Sequence, residues 1–257
     1  TLRALSAAPA IELGDWSGHS LCLLANALYP VRQSLDDARW QAIELRWLQE
    51  LRQIASSLRA HGFPVERGQY SEALHATGCF HAGPRYTRHL LALLEVGEAP
   101  PGFVSGARAL VEEARREAAA LSAVRSEAEA GILCVAECGF GAGAGAALQW
   151  RRLFVSVGTP AGPQDSELIV TVPLKHDRSG HAEALALREV LRWVVTAAAA
   201  NEVHELPRMD VTGWVHLFVT HHPCLSCVGA ISQLRAALPS FRVCVSYDWR
   251  PQALRGR

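Results

Sequence analysis

Two short stretches, His181-Ala182-Glu183 and Pro223-Cys224-Leu225-Ser226-Cys227, decide how the C-terminal half of the chain is interpreted. Each stretch opens a helical pattern, and a strand-like run from Trp214 to Thr220 lies between them. Proline just before the first turn suits the start of a helix. The Cys-x-x-Cys spacing puts both sulfurs on one face of that turn, where the helix N-terminus favours the thiolate form. Thiolate and imidazole are ligand types that zinc prefers.

A histidine and a glutamate two residues apart, followed by Pro-Cys-x-x-Cys, form the signature of zinc deaminases. On these residues the chain resembles the cytidine deaminase-like superfamily, whose members hydrolyse the exocyclic amine of a base. The resemblance implies that His181, Cys224 and Cys227 bind Zn²⁺ and leave the fourth tetrahedral position to water. Zinc lowers the pKa of such a water towards about 7. Glu183 is then the catalytic residue, which moves a proton from the water to the base and does not bind the metal.

Each half of the motif also has a simpler interpretation. A lone Cys-x-x-Cys occurs in structural zinc sites and in redox pairs, and a lone His-x-Glu is less specific still. A purely structural zinc, or no metal at all, is therefore the alternative to a catalytic zinc.

The fold class that the resemblance implies is α/β: a cytidine deaminase-like three-layer fold with a central mixed sheet and metal-bearing helices, preceded by an all-α helical region. Residues 151–157 and 167–173 are rich in β-formers and flank a Gly- and Pro-rich turn, which predicts a hairpin. A last strand is predicted from Phe241 to Tyr247, so the order is β-β-α-β-α-β.

The family usually continues with another helix and a fifth strand, whereas this sequence stops shortly after Tyr247. Three explanations are open: a minimal variant of the fold, an N-terminal half that covers the exposed sheet edge, or a truncated chain.

Residues 1–130 are predicted to form a helical region of unknown role. Apolar residues recur at three- and four-residue steps from Leu35 to Ala60, a shorter helical pattern covers residues 85–94, and residues 105–130 are again helix-like. A helical bundle and a set of degenerate helical repeats both fit this pattern.

Residues 131–150 are interpreted as a Gly/Ala-rich connector to a deaminase domain at residues 151–257. The run from Gly139 to Gly145 loosely matches a dinucleotide-binding fingerprint, but a strand-like segment follows it where that motif requires a helix.

Three loops are expected to surround the pocket: one before His181, one before Pro223 and one after the last strand. Aromatic side chains there would stack on bases, and basic ones would contact phosphate. Closure of the core by the aromatic residues at the chain end, and solvated positions for the loop histidines, are the alternatives. The predicted substrate-binding residues are Lys175, His176, Arg178, Thr220, His221, His222, Tyr247, Trp249 and Arg250.

The His-Ala-Glu form and the Thr-His-His-Pro-Cys lead-in resemble the bacterial-toxin and AID/APOBEC-like branch of the superfamily. Free-nucleoside enzymes commonly use Cys in place of His181. The resemblance therefore implies hydrolytic deamination of cytosine to uracil in single-stranded nucleic acid, either DNA or RNA. The alternatives are adenosine-to-inosine deamination on RNA, a free nucleoside or nucleotide deaminase, and an inactive, metal-stabilised binding module.

The composition limits which binding partners and which cellular compartment are expected. The 25 Lys and Arg residues balance 25 Asp and Glu residues, so any contact with nucleic acid must be local rather than driven by net charge. No apolar run approaches about 20 residues, so no membrane span is expected. Seven cysteines form no regular disulfide framework, which favours a reducing intracellular compartment over secretion.

Overall fold

The structure is a computed structural model that describes residues 18–29, 37–60, 82–121, 131–141, 148–156, 169, 180–199 and 211–248. Within these ranges the chain has an α/β fold with six helices and four strands. The helices are α1 (Gly18–Leu28), α2 (Asp37–Ala60), α3 (Pro84–Leu93), α4 (Pro101–Leu121), α5 (Ala182–Ala199) and α6 (Leu225–Ala237). The strands are β1 (Leu133–Gly141), β2 (Leu148–Val155), β3 (Thr212–Val219) and β4 (Phe241–Tyr247).

The four strands form one mixed sheet in the order β2-β1-β3-β4. Strand β1 pairs antiparallel with both β2 and β3, whereas β3 and β4 run parallel. A parallel pair needs a crossover connection, and α6 supplies it. The chain order is therefore β-β-α-β-α-β, as predicted. The first predicted strand, residues 151–157, overlaps β2, whereas β1 was not predicted.

The interpretation of residues 131–150 as a connector is wrong for residues 133–141 and 148–150, which lie in β1 and β2. Strand β1 is an inner strand with buried side chains on both faces, so it lacks the polar alternation of a half-exposed strand. A tertiary contact explains the glycine at position 139, because a Cβ there would lie 2.7 Å from the Trp214 ring. The partner of β2 is β1, whereas most of the predicted second strand, residues 167–173, lies outside the described residues.

Helices cover both faces of the sheet. On one face, α4 packs through Phe103, Ala107 and Val111 against apolar side chains of the strands, among them Val135 and Phe218. On the other face, α5 packs against β1 and β2, and α6 packs against α5.

The N-terminal helices share this core rather than standing apart from it. Helix α6 is buried on every side, and α2 covers part of it: the Ser232 hydroxyl donates a hydrogen bond of 3.2 Å to the Leu58 carbonyl. The free edge of β4 is covered as well. Gly97 donates to the Val243 carbonyl at 3.0 Å and accepts from the Val245 amide at 2.8 Å. The N-terminal half therefore covers the sheet edge, which is one of the three explanations raised by the sequence.

The predicted helices at residues 35–60, 85–94 and 105–130 correspond to α2, α3 and α4. Helix α4 starts earlier than predicted, at Pro101, because proline is favoured at the first position of a helix. None of the helices described above combines the length and the apolar character needed to cross a membrane.

Candidate metal centre

Two helix N-termini bring the predicted ligands together. His181 directly precedes α5, and its carbonyl accepts the hydrogen bond of the Leu185 amide at 3.0 Å. Cys224 is the N-cap of α6, its carbonyl accepts from the Val228 amide at 2.9 Å, and Cys227 follows in the first turn. Both helices begin at the carboxyl end of the sheet's inner strand β3, the end at which α/β sheets place their ligands.

The side chains of His181, Cys224 and Cys227 converge on one point. The two sulfurs lie 3.5 Å apart, and the Nδ1 atom of His181 lies 3.7 Å from the Cys224 sulfur and 3.4 Å from the Cys227 sulfur. Both cysteines are buried and the histidine is partly exposed. Among the described residues, this is the one group of three or more His, Cys, Asp or Glu side chains that could hold a metal ion.

The two thiols differ in their acidity. The pKa of Cys224 lies well below its usual range, chiefly because of its hydrogen bond with Cys227, with a further contribution from His181. The pKa of Cys227 is raised by that same hydrogen bond and by burial. The pair therefore loses its first proton more easily than its second, at the positive end of α6.

Glu183 lies in the first turn of α5 and is only 2% exposed. Burial and, after it, the nearby Cys224 raise the pKa of its carboxyl group to about 7, although His181 opposes the shift. The Oε2 atom has no hydrogen-bond partner among the described residues. Because a buried oxygen without a partner is costly, this atom is the natural contact for a small molecule in the site.

Ser156, at the end of β2, supports the ligand-bearing end of α5. Its hydroxyl accepts a hydrogen bond of 3.2 Å from the Ala182 amide, one of the orphan donors at the helix start. Sequence reasoning missed this residue because the bond links two elements that are distant in the chain.

Cys134 is a second residue that sequence reasoning missed. It is fully buried on β1, and its pKa is raised by burial and by the charge of Glu183, which places it beside the carboxylate. The only signal in the sequence was its position on an apolar run, and that run was not interpreted as a strand.

Three of the predicted substrate-binding residues are held in the loop before Pro223. The ring of His221 lies 4.1 Å from that of His222, and its Nδ1 is 3.0 Å from the His222 carbonyl oxygen. The hydroxyl of Thr220 accepts a hydrogen bond of 3.0 Å from the Leu133 amide, so this side chain anchors the loop to β1.

Tyr247 ends β4, and its hydroxyl donates to the Pro84 carbonyl at the start of α3. This contact agrees with the alternative in which Tyr247 closes the core, and base stacking by Tyr247 stays a prediction. The remaining predicted contacts, Lys175, His176, Arg178, Trp249 and Arg250, lie outside the described residues.

The structure thus shows an α/β fold in which a His/Cys/Cys cluster that could hold a metal ion lies beside a buried glutamate. Comparisons of the chain with protein-family models, with curated proteins and with solved structures find no match.

Proposed function

We propose that this chain is a zinc-dependent deaminase that hydrolyses cytosine to uracil in single-stranded nucleic acid. The observation that carries the proposal is the buried carboxyl of Glu183, with its unpartnered Oε2 atom, next to the His/Cys/Cys cluster. The resemblance of the two motifs to the cytidine deaminase-like superfamily supplies the reaction class.

The donor set fits zinc in both chemistry and spacing. Tetrahedral ligands at about 2.3 Å for sulfur and about 2.0 Å for nitrogen lie about 3.8 Å apart for two sulfurs and about 3.5 Å apart for sulfur and nitrogen. The corresponding distances here are 3.5 Å between the sulfurs and 3.7 and 3.4 Å from sulfur to Nδ1. Zinc held by these three residues would leave its fourth coordination position to a water molecule and would lower the pKa of that water.

Glu183 has the properties that the proton transfers of this reaction need. A general acid–base is most effective when its pKa lies near the working pH, and burial brings this carboxyl to about 7. It would carry one proton of the water to the ring nitrogen and the other to the departing amine, while the water oxygen stays on the ring, so that cytosine and water become uracil and ammonia. A purely structural metal site has no use for such a carboxylate, which favours the catalytic alternative.

The choice of a polynucleotide substrate is supported by the sequence of the entrance loop, Thr220-His221-His222, which resembles the polynucleotide branch of the superfamily. A single strand is proposed because the amine of a base within a duplex is paired and stacked out of reach.

The test compares the zinc-loaded protein with its Glu183→Gln variant on single-stranded DNA and RNA oligonucleotides that contain all four bases, read out by sequencing. We expect C-to-U changes that fall by a factor of about 10² or more in the variant. Zinc content, measured on the same samples, should stay at one equivalent in both proteins because Glu183 is not a ligand. The exposed Glu117→Gln on α4 is the matched control and should retain full activity.

Each of the other possible outcomes would indicate a different function. Adenosine-to-inosine changes would replace cytosine by adenine as the target base. Conversion of free cytidine, but of no oligonucleotide, would indicate a nucleoside enzyme. No conversion of any of these substrates by the zinc-loaded wild-type protein would refute the proposal and leave a metal-stabilised binding module.

A further inference from the structure

A groove lies at the end of the sheet opposite the metal centre, where β1 ends and β3 and β4 begin. It encloses about 360 Å³, within the range of small-ligand pockets, and is lined by Gly139, Gly141, Gly213, Trp214 and Arg242, among others. Trp214 and Val219 are five residues apart on β3, or about 17 Å. The groove is therefore separate from the His/Cys/Cys cluster, which follows the other end of that strand.

Aromatic rings form a column that runs along the sheet into this groove. Phe103 of α4 lies 5.4 Å from the His216 ring, and His216 stacks on Trp214 with 4.4 Å between ring centroids and 26° between planes. The closed end of the column is covered by the Arg151 guanidinium, 5.8 Å from the Phe103 ring and paired with Glu137 at 2.9 Å. The other end, Trp214, lines the groove and is only half-buried.

Gly139 makes room for the Trp214 indole ring, which lines the groove. A Cβ at Gly139 would lie 2.7 Å from two carbons of the Trp214 ring, so no other residue leaves the ring where it is. Gly213 is equally constrained, because a Cβ there would lie 2.5 Å from the Gly139 carbonyl oxygen. Both glycines line the groove.

Arg242 brings a positive charge to this groove. It is opposite Trp214 in the parallel register of β3 and β4, and it is exposed. None of the ion pairs among the described residues includes it. An aromatic ring face next to an uncompensated guanidinium is the pairing with which proteins hold the bases and phosphates of single strands.

We propose that this groove binds single-stranded nucleic acid, with one base stacked on Trp214 and a neighbouring phosphate on Arg242. Bases stack on aromatic rings whatever their identity, so the site favours single strands over duplexes without reading sequence. This inference does not depend on the proposed reaction, since it uses none of the residues of the metal centre.

The test measures binding of a fluorescently labelled 20-nucleotide oligothymidine by anisotropy. This probe contains no cytosine or adenine, so it is not a deamination substrate. We expect Trp214→Leu to weaken binding about 5- to 150-fold and Trp214→Phe, which keeps a ring, to restore most of it. Arg242→Ala should weaken binding more than Arg116→Ala, a matched control that removes an exposed arginine from α4.

An abasic strand of the same length and charge is the second probe, and its binding should be insensitive to Trp214→Leu. Equal effects of Arg242→Ala and Arg116→Ala, or equal effects of Trp214→Leu on both probes, would reduce the groove to a nonspecific electrostatic surface and overturn the proposal. Unchanged oligothymidine binding by Trp214→Leu, in a protein whose thermal unfolding is that of the wild type, would overturn it as well. Deamination is measured in a separate assay. A negative binding result would therefore not refute the proposed reaction, and a negative deamination result would not refute nucleic-acid binding in the groove.

Discussion

The charge of one residue, Glu183, links the site's chemistry to the stability of the fold. Its carboxyl group is buried beside two thiols, and its folded-state pKa is raised from an ordinary value of 4.5 to about 7, first by burial and then by Cys224. A buried carboxylate is costly to ionise, and the cost falls on the folded state alone. The same burial that prepares Glu183 for proton transfer therefore destabilises the protein at neutral and higher pH.

The stability of the metal-free protein should therefore depend on pH. Between about pH 4.5 and 7 the folded state holds a proton that the unfolded state has released, so the contribution of Glu183 to stability is lost as the pH rises through this window. We expect metal-free Glu183→Gln to exceed the wild type by less than about 1 kcal/mol at pH 5 and by up to about 3 kcal/mol at pH 8. Urea unfolding with chelator and reductant at both pH values measures this difference. A difference that is the same at both values would contradict the argument, and Glu117→Gln should show none.

Most of the site prediction came from residue types and their spacing. Tertiary packing explains why the remaining site residues could not be predicted. The spacing of His181, Glu183 and the two cysteines follows from helix starts, so the cluster was predictable from short motifs. Ser156 and Cys134 were not, because each reaches the site from a strand far away in the chain.

At the scale of elements, helices with a clear apolar stripe were predicted well and strand β1 was not. Helix α2 matches its predicted range to within two residues at its start. Strand β1 was hidden because an inner strand is apolar on both faces and its Gly139 resembles a loop residue. A glycine is needed at position 139 because the Trp214 ring of β3 packs directly against it, and no local sequence pattern reveals this contact.

The start of helix α5 depends on an element outside the helix, and this yields a second prediction. Ser156→Ala removes the acceptor of the Ala182 amide, and loss of such a cap costs about 0.5–2 kcal/mol. Because the capped turn also carries His181 and Glu183, we expect affinity for zinc to fall several-fold as well. Chelator competition measures the affinity, urea unfolding measures the stability, and Ser156→Thr should restore both.

A matched control separates positioning from stability. The Ser246 hydroxyl accepts a hydrogen bond of 3.1 Å from the Ala99 amide, so Ser246→Ala removes the same kind of bond on the face of the sheet that α4 covers. It should lower stability by a similar amount and leave zinc affinity unchanged. Equal losses of zinc affinity in the two alanine variants would show that Ser156 acts only through overall stability.

At the scale of the whole molecule, the N-terminal helices complete the fold that carries the metal centre. One continuous set of buried side chains runs from α1, α2 and α3 through α5 and α6 to the strands. Helix α6 is buried on every side, and α2 supplies part of its cover. Helix α4 covers the second face of the sheet, and Gly97 hydrogen-bonds to the edge of β4.

Removal of residues 1–130 should therefore leave a sheet with one face and one edge uncovered. We expect the fragment 131–257 to unfold without a cooperative transition and to bind zinc much more weakly than the whole chain. Co-expression with residues 1–130 should restore both properties, because the contacts between the halves are apolar and extensive. A milder change on the same contact, Phe103→Ala, removes a buried ring and should cost about 3–5 kcal/mol. A fragment that unfolds cooperatively and binds zinc like the whole chain would instead establish residues 131–257 as an independent domain, with the helices as an accessory.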